Sequence, residues 1–236
     1  MAQHLSSRNP LLANGPLAVG VVSTLPVLEQ FVGLSPKERS ETCDLVELRL
    51  DELNLPTAEL EAVIDGCEFP FLLTARHPAE GGKAPEDPTA RAAMIEPLLS
   101  RAALIDIELR SAAGMTQLIQ QAHHLGVGVI GSFHDFSATP AEHVLRGAAE
   151  FAQQAGLDAV KIATFLNQSE DLALLLRILA DPGRLRHSVM GMGPLGRVSR
   201  LVLAKCGSLL NYGYLGESNA PGQWPVAKLK KLLTEI

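Results

Sequence analysis

Five short apolar runs in this sequence carry ionisable or polar residues at period two. Glu47 and Arg49 alternate with Val46, Leu48 and Leu50. Thr74 and Arg76 alternate with Leu73 and Ala75, and Asp106 and Glu108 with Ile105, Ile107 and Leu109. Ser132 and His134 alternate with Gly131 and Phe133, and Lys161 sits between Val160 and Ile162. Residues i and i+2 share one face of a strand. If the apolar set packs against helices, the polar set faces the other way, and charge in a strand covered on both sides is costly. Taken singly, each of these residues reads as well as a paired structural ion. Five runs with one parity instead predict that Glu47, Arg49, Arg76, Glu108, His134 and Lys161 converge on one pocket.

Lys161 says most about the chemistry. In the apolar run Ala-Val-Lys-Ile-Ala its amine is expected to be desolvated, which disfavours the ammonium. A nearby Arg49 or Arg76 would disfavour it further. A neutral amine attacks a carbonyl to give an imine; the competing reading is a structural pair with Glu108. His134 could move protons near neutral pH. Of the other histidines, His77 follows Arg76 and is a weak candidate. His4, His123, His124, His143 and His187 have no motif around them.

The elements that would position these groups alternate along the chain. Strand-like runs are expected at Leu17–Ser23, Leu45–Leu50, Phe71–Arg76, Leu104–Leu109, Val127–His134, Ala159–Thr164, Ser188–Met192 and, more weakly, Ser208–Tyr212. Helical spacing begins at Thr57, Thr89 and Ser111. Thr139-Pro140-Ala141-Glu142 reads as a capped helix start, and Ser169 as the cap of Glu170–Leu179. Pro225 can open a last helix through Leu233. Eight βα units in 236 residues predict an α/β chain folded as a single (β/α)8 TIM barrel over 1–236. The rival, an open doubly wound sheet, usually carries a glycine-rich turn after its first strand; here that strand runs into Ser23-Thr24-Leu25-Pro26.

Composition narrows the function class. Hydrophobic residues make up 47% and aromatics only 4%, so the core must be mostly Leu, Val, Ile and Ala. A net charge of -6 disfavours binding to a phosphate backbone, and no nucleic-acid partner is expected. No apolar run is long enough to span a bilayer, and the first residues lack the order of a secretory signal. Three scattered cysteines, Cys43, Cys67 and Cys206, form no metal pattern and suit a reducing, cytoplasmic setting.

Read in order, these residues resemble the type I 3-dehydroquinate dehydratases, lysine Schiff-base enzymes of the shikimate pathway. The matching stretches are Val46–Asp51, Thr74-Ala75-Arg76 with Glu80-Gly81-Gly82, Asp106–Leu109, Ser132–Phe136 with Thr139-Pro140, and Val160–Ala163. Met192, Gly196, Ser199-Arg200 and Ala220-Pro221-Gly222-Gln223 follow. His134 and Lys161 lie 27 positions apart. The resemblance implies that Lys161 forms the imine, His134 is the general acid/base and Glu80 supports it. It implies that Glu47, Arg49 and Arg76 grip ring hydroxyls, Arg200 holds the substrate carboxylate, Gln223 closes from a lid and Ser23 is a peripheral contact. Where the family usually has serine before Ala-Pro-Gly-Gln this chain has Asn219, which can still donate and accept. The implied substrate is 3-dehydroquinate, in a homodimer that needs no metal and no cofactor because the imine is the electron sink. A class I aldolase-type barrel with the same lysine, or a non-catalytic barrel binding a shikimate-like ligand, remain the alternatives at this point.

Overall fold

A computed structural model describes residues 9–218 and 222–235. Eight parallel strands carry the fold: β1 (Leu17–Val22), β2 (Leu45–Arg49), β3 (Phe71–Thr74), β4 (Leu104–Glu108), β5 (Gly128–Asp135), β6 (Ala159–Phe165), β7 (Arg186–Met192) and β8 (Leu210–Tyr214). Each pairs with its predecessor from β1 to β7, and β8 returns to β1. This is the expected (β/α)8 barrel. Its seam lies between β7 and β8, where serine hydroxyls stand in for ladder bonds. Leu210 N donates to Ser188 Oγ at 3.0 Å and Val189 N to Ser208 Oγ at 2.9 Å. Ser208 therefore belongs to the seam, and the weak last run begins two residues later than the sequence suggested.

Helices follow the strands on the outside, including Thr57–Ile64, Pro88–Ile95, Thr116–His124, Glu142–Gln154, Ser169–Ala180, Gly196–Lys205 and Val226–Glu235. Two expected caps are overturned. Thr139 Oγ1 is held by Thr164 Oγ1 and the Phe165 carbonyl of β6, at 2.9 and 3.1 Å, so it cannot cap the helix that starts at Glu142. Gln168 rather than Ser169 is the N-cap of the next helix, with Asp171 reaching back to the Gln168 N–H at 3.0 Å. Ser111 lies inside a 3-10 segment, Leu109–Met115, and the helix proper begins at Thr116.

The core divides by face. Strand residues such as Val46, Leu48, Leu73, Ile105, Val129, Val160 and Ile162 pack outwards on the helices. The alternate set fills the barrel. The register arranges it in layers to which alternate strands contribute. Val19 pairs with Leu45 and Tyr212, Glu47 with Leu72, Leu72 with Leu104, Asp106 with Ile130 and Ile130 with Ala159. Followed round the barrel, this puts Glu47, Asp106, Lys161 and Tyr212 level, from β2, β4, β6 and β8. Below them Val19, Leu72 and Ile130, then Leu45, Leu104, Ala159 and Leu210, seal the floor with Leu12. Each such leucine, fully buried, contributes roughly 1.5–3 kcal/mol. The charged layer therefore rests on a dry base.

Candidate active site

Lys161, 4% exposed, is the centre of its layer and touches the other three members. Its Nζ lies 3.0 Å from Asp106 Oδ2, 3.7 Å from Glu47 Oε1 and 4.1 Å from the centroid of the Tyr212 ring. The next layer up comes from the odd strands and satisfies these carboxylates from above. Thr74 Oγ1 donates to Glu47 Oε1 at 2.9 Å and Ser132 Oγ to Asp106 Oδ1 at 2.6 Å. The lysine is thus ion-paired, but not with Glu108 as the sequence suggested. Arginines do not crowd it unpaired either, because carboxylates hold them. Arg76 bridges Asp106 at 2.9 Å and Glu108 at 3.0 Å, and Arg49 makes a two-pronged contact with Asp51 at 2.9 and 2.7 Å.

Burial alone would raise the Asp106 carboxyl, but Arg76 and Lys161 outweigh it and hold it well below the usual carboxylate range. Glu108 is buried yet does not reach the cavity. It accepts from Arg76, from the His77 N–H at 2.9 Å, and faces Arg91 Nε at 3.6 Å. It braces the loop after β3, and its expected place among the cavity residues is corrected accordingly.

His134 projects from β5 one step further along than Lys161, its register partner being Ala163, two residues on. Glu80 reaches it from the loop after β3. Glu80 Oε2 is 2.8 Å from His134 Nδ1 and accepts the His134 backbone N–H at 3.1 Å. An ionised carboxylate only accepts, so when Glu80 is ionised this contact places the ring proton on Nδ1 and leaves Nε2 with its lone pair. Burial, then the Arg76 and Lys161 cations, hold the imidazole well below its ordinary pKa, which keeps it neutral. Burial also raises the Glu80 carboxyl to about 7, with Arg76 opposing. Local chain geometry aims Glu80. A 3-10 turn, Pro78–Glu80, is capped by His77 and closed by Gly81 at φ 80. Gly82 then lies so close to the Arg76 carbonyl that a Cβ would fall within 1.9 Å of it.

Lys161, His134 and Glu80 line one open cavity together with Glu47, Arg49, Arg76, Met190, Met192 and Phe136. The Phe136 ring stacks on His134 at 6.2 Å. Arg200 closes another wall. It is 2% exposed, donates to the Tyr212 carbonyl at 2.9 Å and has no carboxylate partner among the described residues. Burial alone pushes its guanidinium down to about 10. A buried cation without an anion calls for an anionic ligand. Gln223 also lines the cavity. Its strand-like neighbour is pinned by Tyr214 N donating to the Trp224 carbonyl at 3.0 Å.

Ser23 follows β1 but is not among the lining residues, where Val21 stands instead. Asn219 lies outside the described residues. The sequence reading missed two members of the site. Asp106 was visible as a charge in a strand, but its level with Lys161 depends on register. Tyr212 stood out only as the end of the weak last run.

The arrangement can form an imine at Lys161, move a proton through His134 and hold a carboxylate at Arg200. Comparison with known proteins identifies a family. A family model described as type I 3-dehydroquinase matches residues 24–236. A 3-dehydroquinate dehydratase of Methanosarcina barkeri is 34% identical over 220 residues, covering 88% of this chain and 91% of that protein. The 3-dehydroquinate dehydratase structure from Aquifex aeolicus superposes with a TM-score of 0.79 at 27% identity, covering 92% of this chain and 98% of that one. The one from Geobacillus kaustophilus has a TM-score of 0.82 at 23% identity, with 95% and 92% covered, and speaks for the fold. With a family model spanning residues 24–236 and a relative 34% identical across 88% of this sequence, the chain belongs to the type I 3-dehydroquinase family.

Proposed function

We propose that this chain dehydrates 3-dehydroquinate to 3-dehydroshikimate through an imine on Lys161, as a hydro-lyase of the shikimate pathway. The observation that carries the reading is one cavity lined by a buried lysine, a histidine–glutamate couple and a buried arginine without an acidic partner. The Lys161 amine gives a proton to His134 and attacks the ketone carbon. The carbinolamine hydroxyl takes that proton back from His134 and leaves as water, which gives a protonated imine and a neutral His134. That cation acidifies the adjacent C–H, and His134 Nε2 removes the proton to give an enamine. The enamine expels the β-hydroxyl, protonated by His134, as water, and a second water hydrolyses the imine. The sum is loss of one water from the substrate. Asp106 and Glu47 remain as fixed anions against the iminium that follows.

Arg49, Arg76 and Glu47 would contact ring hydroxyls from the cavity wall, Asn219 and Gln223 would close over the ligand, and Ser23 would act at the periphery. Arg200→Ala is expected to raise KM for 3-dehydroquinate by roughly 10- to 100-fold, the worth of a charge-assisted contact. Arg200→Lys should recover part of this, because it keeps the charge but not the fork. Steady-state kinetics check both, and an unchanged KM for the alanine variant would reject the assignment.

Glu80 gives a pH signature. Ionisation of a carboxyl raised to about 7 converts it from a donor into the acceptor that fixes the Nδ1–H tautomer. Thus kcat/KM should rise with pH through about 7. Glu80→Gln cannot ionise, so its profile should lose that limb and its kcat should fall by about 10- to 100-fold. A variant that keeps the limb would show that another group produces it.

The direct assay follows the ultraviolet absorbance of the conjugated product. Aldol cleavage of sugar phosphates, tested in parallel, should not occur. Three cysteines, all unpaired, support a cytoplasmic setting. Among the described residues no helix is long and apolar enough to cross a membrane. We infer one barrel as the whole catalytic domain, working as a homodimer. Val198 and Val202, exposed one turn apart on the helix Gly196–Lys205, support an interface, which solution scattering would test.

A further inference from the structure

We propose that Tyr212 is a substrate-binding residue of this chain, its hydroxyl donating a hydrogen bond to an oxygen of the bound ring between Lys161 and Arg200; this rests on the dehydratase reading above. Tyr212 is 3% exposed and lines the cavity, yet its buried Oη has no hydrogen-bond partner among the described residues. The other members of its layer are all satisfied. Glu47 accepts from Thr74, Asp106 accepts from Ser132 and pairs with Arg76, and Lys161 pairs with both carboxylates. A buried hydroxyl left without a partner destabilises the protein that contains it. A phenylalanine would give the same ring over the Lys161 ammonium without that cost, so a ligand is the natural source of the missing bond.

Position supports the same conclusion. The Tyr212 ring lies 4.1 Å from Lys161 Nζ, while its carbonyl accepts from Arg200 Nη1 at 2.9 Å. One residue therefore touches both the group that would take the ketone and the group that would take the carboxylate. Any ligand spanning those two groups passes beside its ring. Burial, with Glu47 and Asp106 nearby, keeps the phenol from ionising until well above its ordinary pKa, so it is a donor at any working pH.

Tyr212→Phe removes only the oxygen. Wild type and variant are compared by ligand-free melting temperature, by kcat and KM for 3-dehydroquinate, and by the melting shift that 3-dehydroshikimate produces. The expected result is a ligand-free melting temperature that is unchanged or higher, a kcat/KM about tenfold lower or more, and a smaller shift with product. Kinetic constants equal to those of an active wild type overturn the inference and leave the dehydratase reading intact. A clear drop in ligand-free melting temperature also overturns it, because the hydroxyl would then serve the fold. A wild type that does not turn over 3-dehydroquinate removes the dehydratase reading, and this inference with it.

Discussion

Lys161→Ala is expected to abolish dehydration, with kcat lowered on the order of 10⁴–10⁶-fold, the scale seen when a covalent nucleophile is removed. Among the described residues no other lysine lines the cavity, and without the imine there is no cation to acidify the adjacent C–H. The structure also warns of a second effect. Lys161 is one partner in a buried network, and deleting one side of such a pair typically costs roughly 3–5 kcal/mol. Asp106 would keep Arg76 and Ser132, and Glu47 would keep Thr74, so the loss is cushioned. Lys161→Met fills the space left by the stem and should melt closer to wild type while being equally inactive. Chemistry and folding are thereby separated. Borohydride added during wild-type turnover should reduce the imine and fix ligand mass on Lys161. An adduct mapped to another residue, or turnover surviving in either variant, would overturn the mechanism.

The barrel and most of the site were legible because charge in a dry strand is conspicuous. Glu47, Arg49, Lys161 and His134 betray themselves by breaking apolar runs with one parity, and eight such runs at βα spacing leave few folds to choose from. Roles that depend on register were not legible. Asp106 and Glu108 share a strand and a face, yet only Asp106 comes level with Lys161; Glu108, two residues further, turns to Arg76 and Arg91 under a loop. Sequence spacing cannot separate them, because the level is set by pairing with β3 and β5. Nor could it foresee that Asp51 would neutralise Arg49, or that Thr139 would bond to β6 rather than cap a helix. Tyr212 went unnoticed for a related reason. An aromatic in a strand is normal core, and only the empty hydrogen-bonding position on its oxygen marks it out.

His134→Ala should lower kcat by roughly 10²–10⁴-fold, the usual worth of a positioned acid/base, and not by the full factor expected at Lys161. The difference follows from the geometry. The amine that forms the imine belongs to β6 and keeps its carboxylate partners when the imidazole is removed. Borohydride should therefore still trap some ligand on Lys161 in this variant, more slowly than in wild type. What the variant lacks is the group that takes the proton from carbon and returns it to the leaving hydroxyl. The pH profile supplies an independent check. Glu80 influences the reaction through the Nδ1 contact at 2.8 Å, so removing the ring should erase the limb near 7 just as Glu80→Gln does. Combining the two substitutions should then cost little more than His134→Ala alone, because residues acting as one unit are not additive. If the double variant instead multiplied the two losses, Glu80 would be acting on the substrate directly, and the support role drawn from its position behind the histidine would have to be given up.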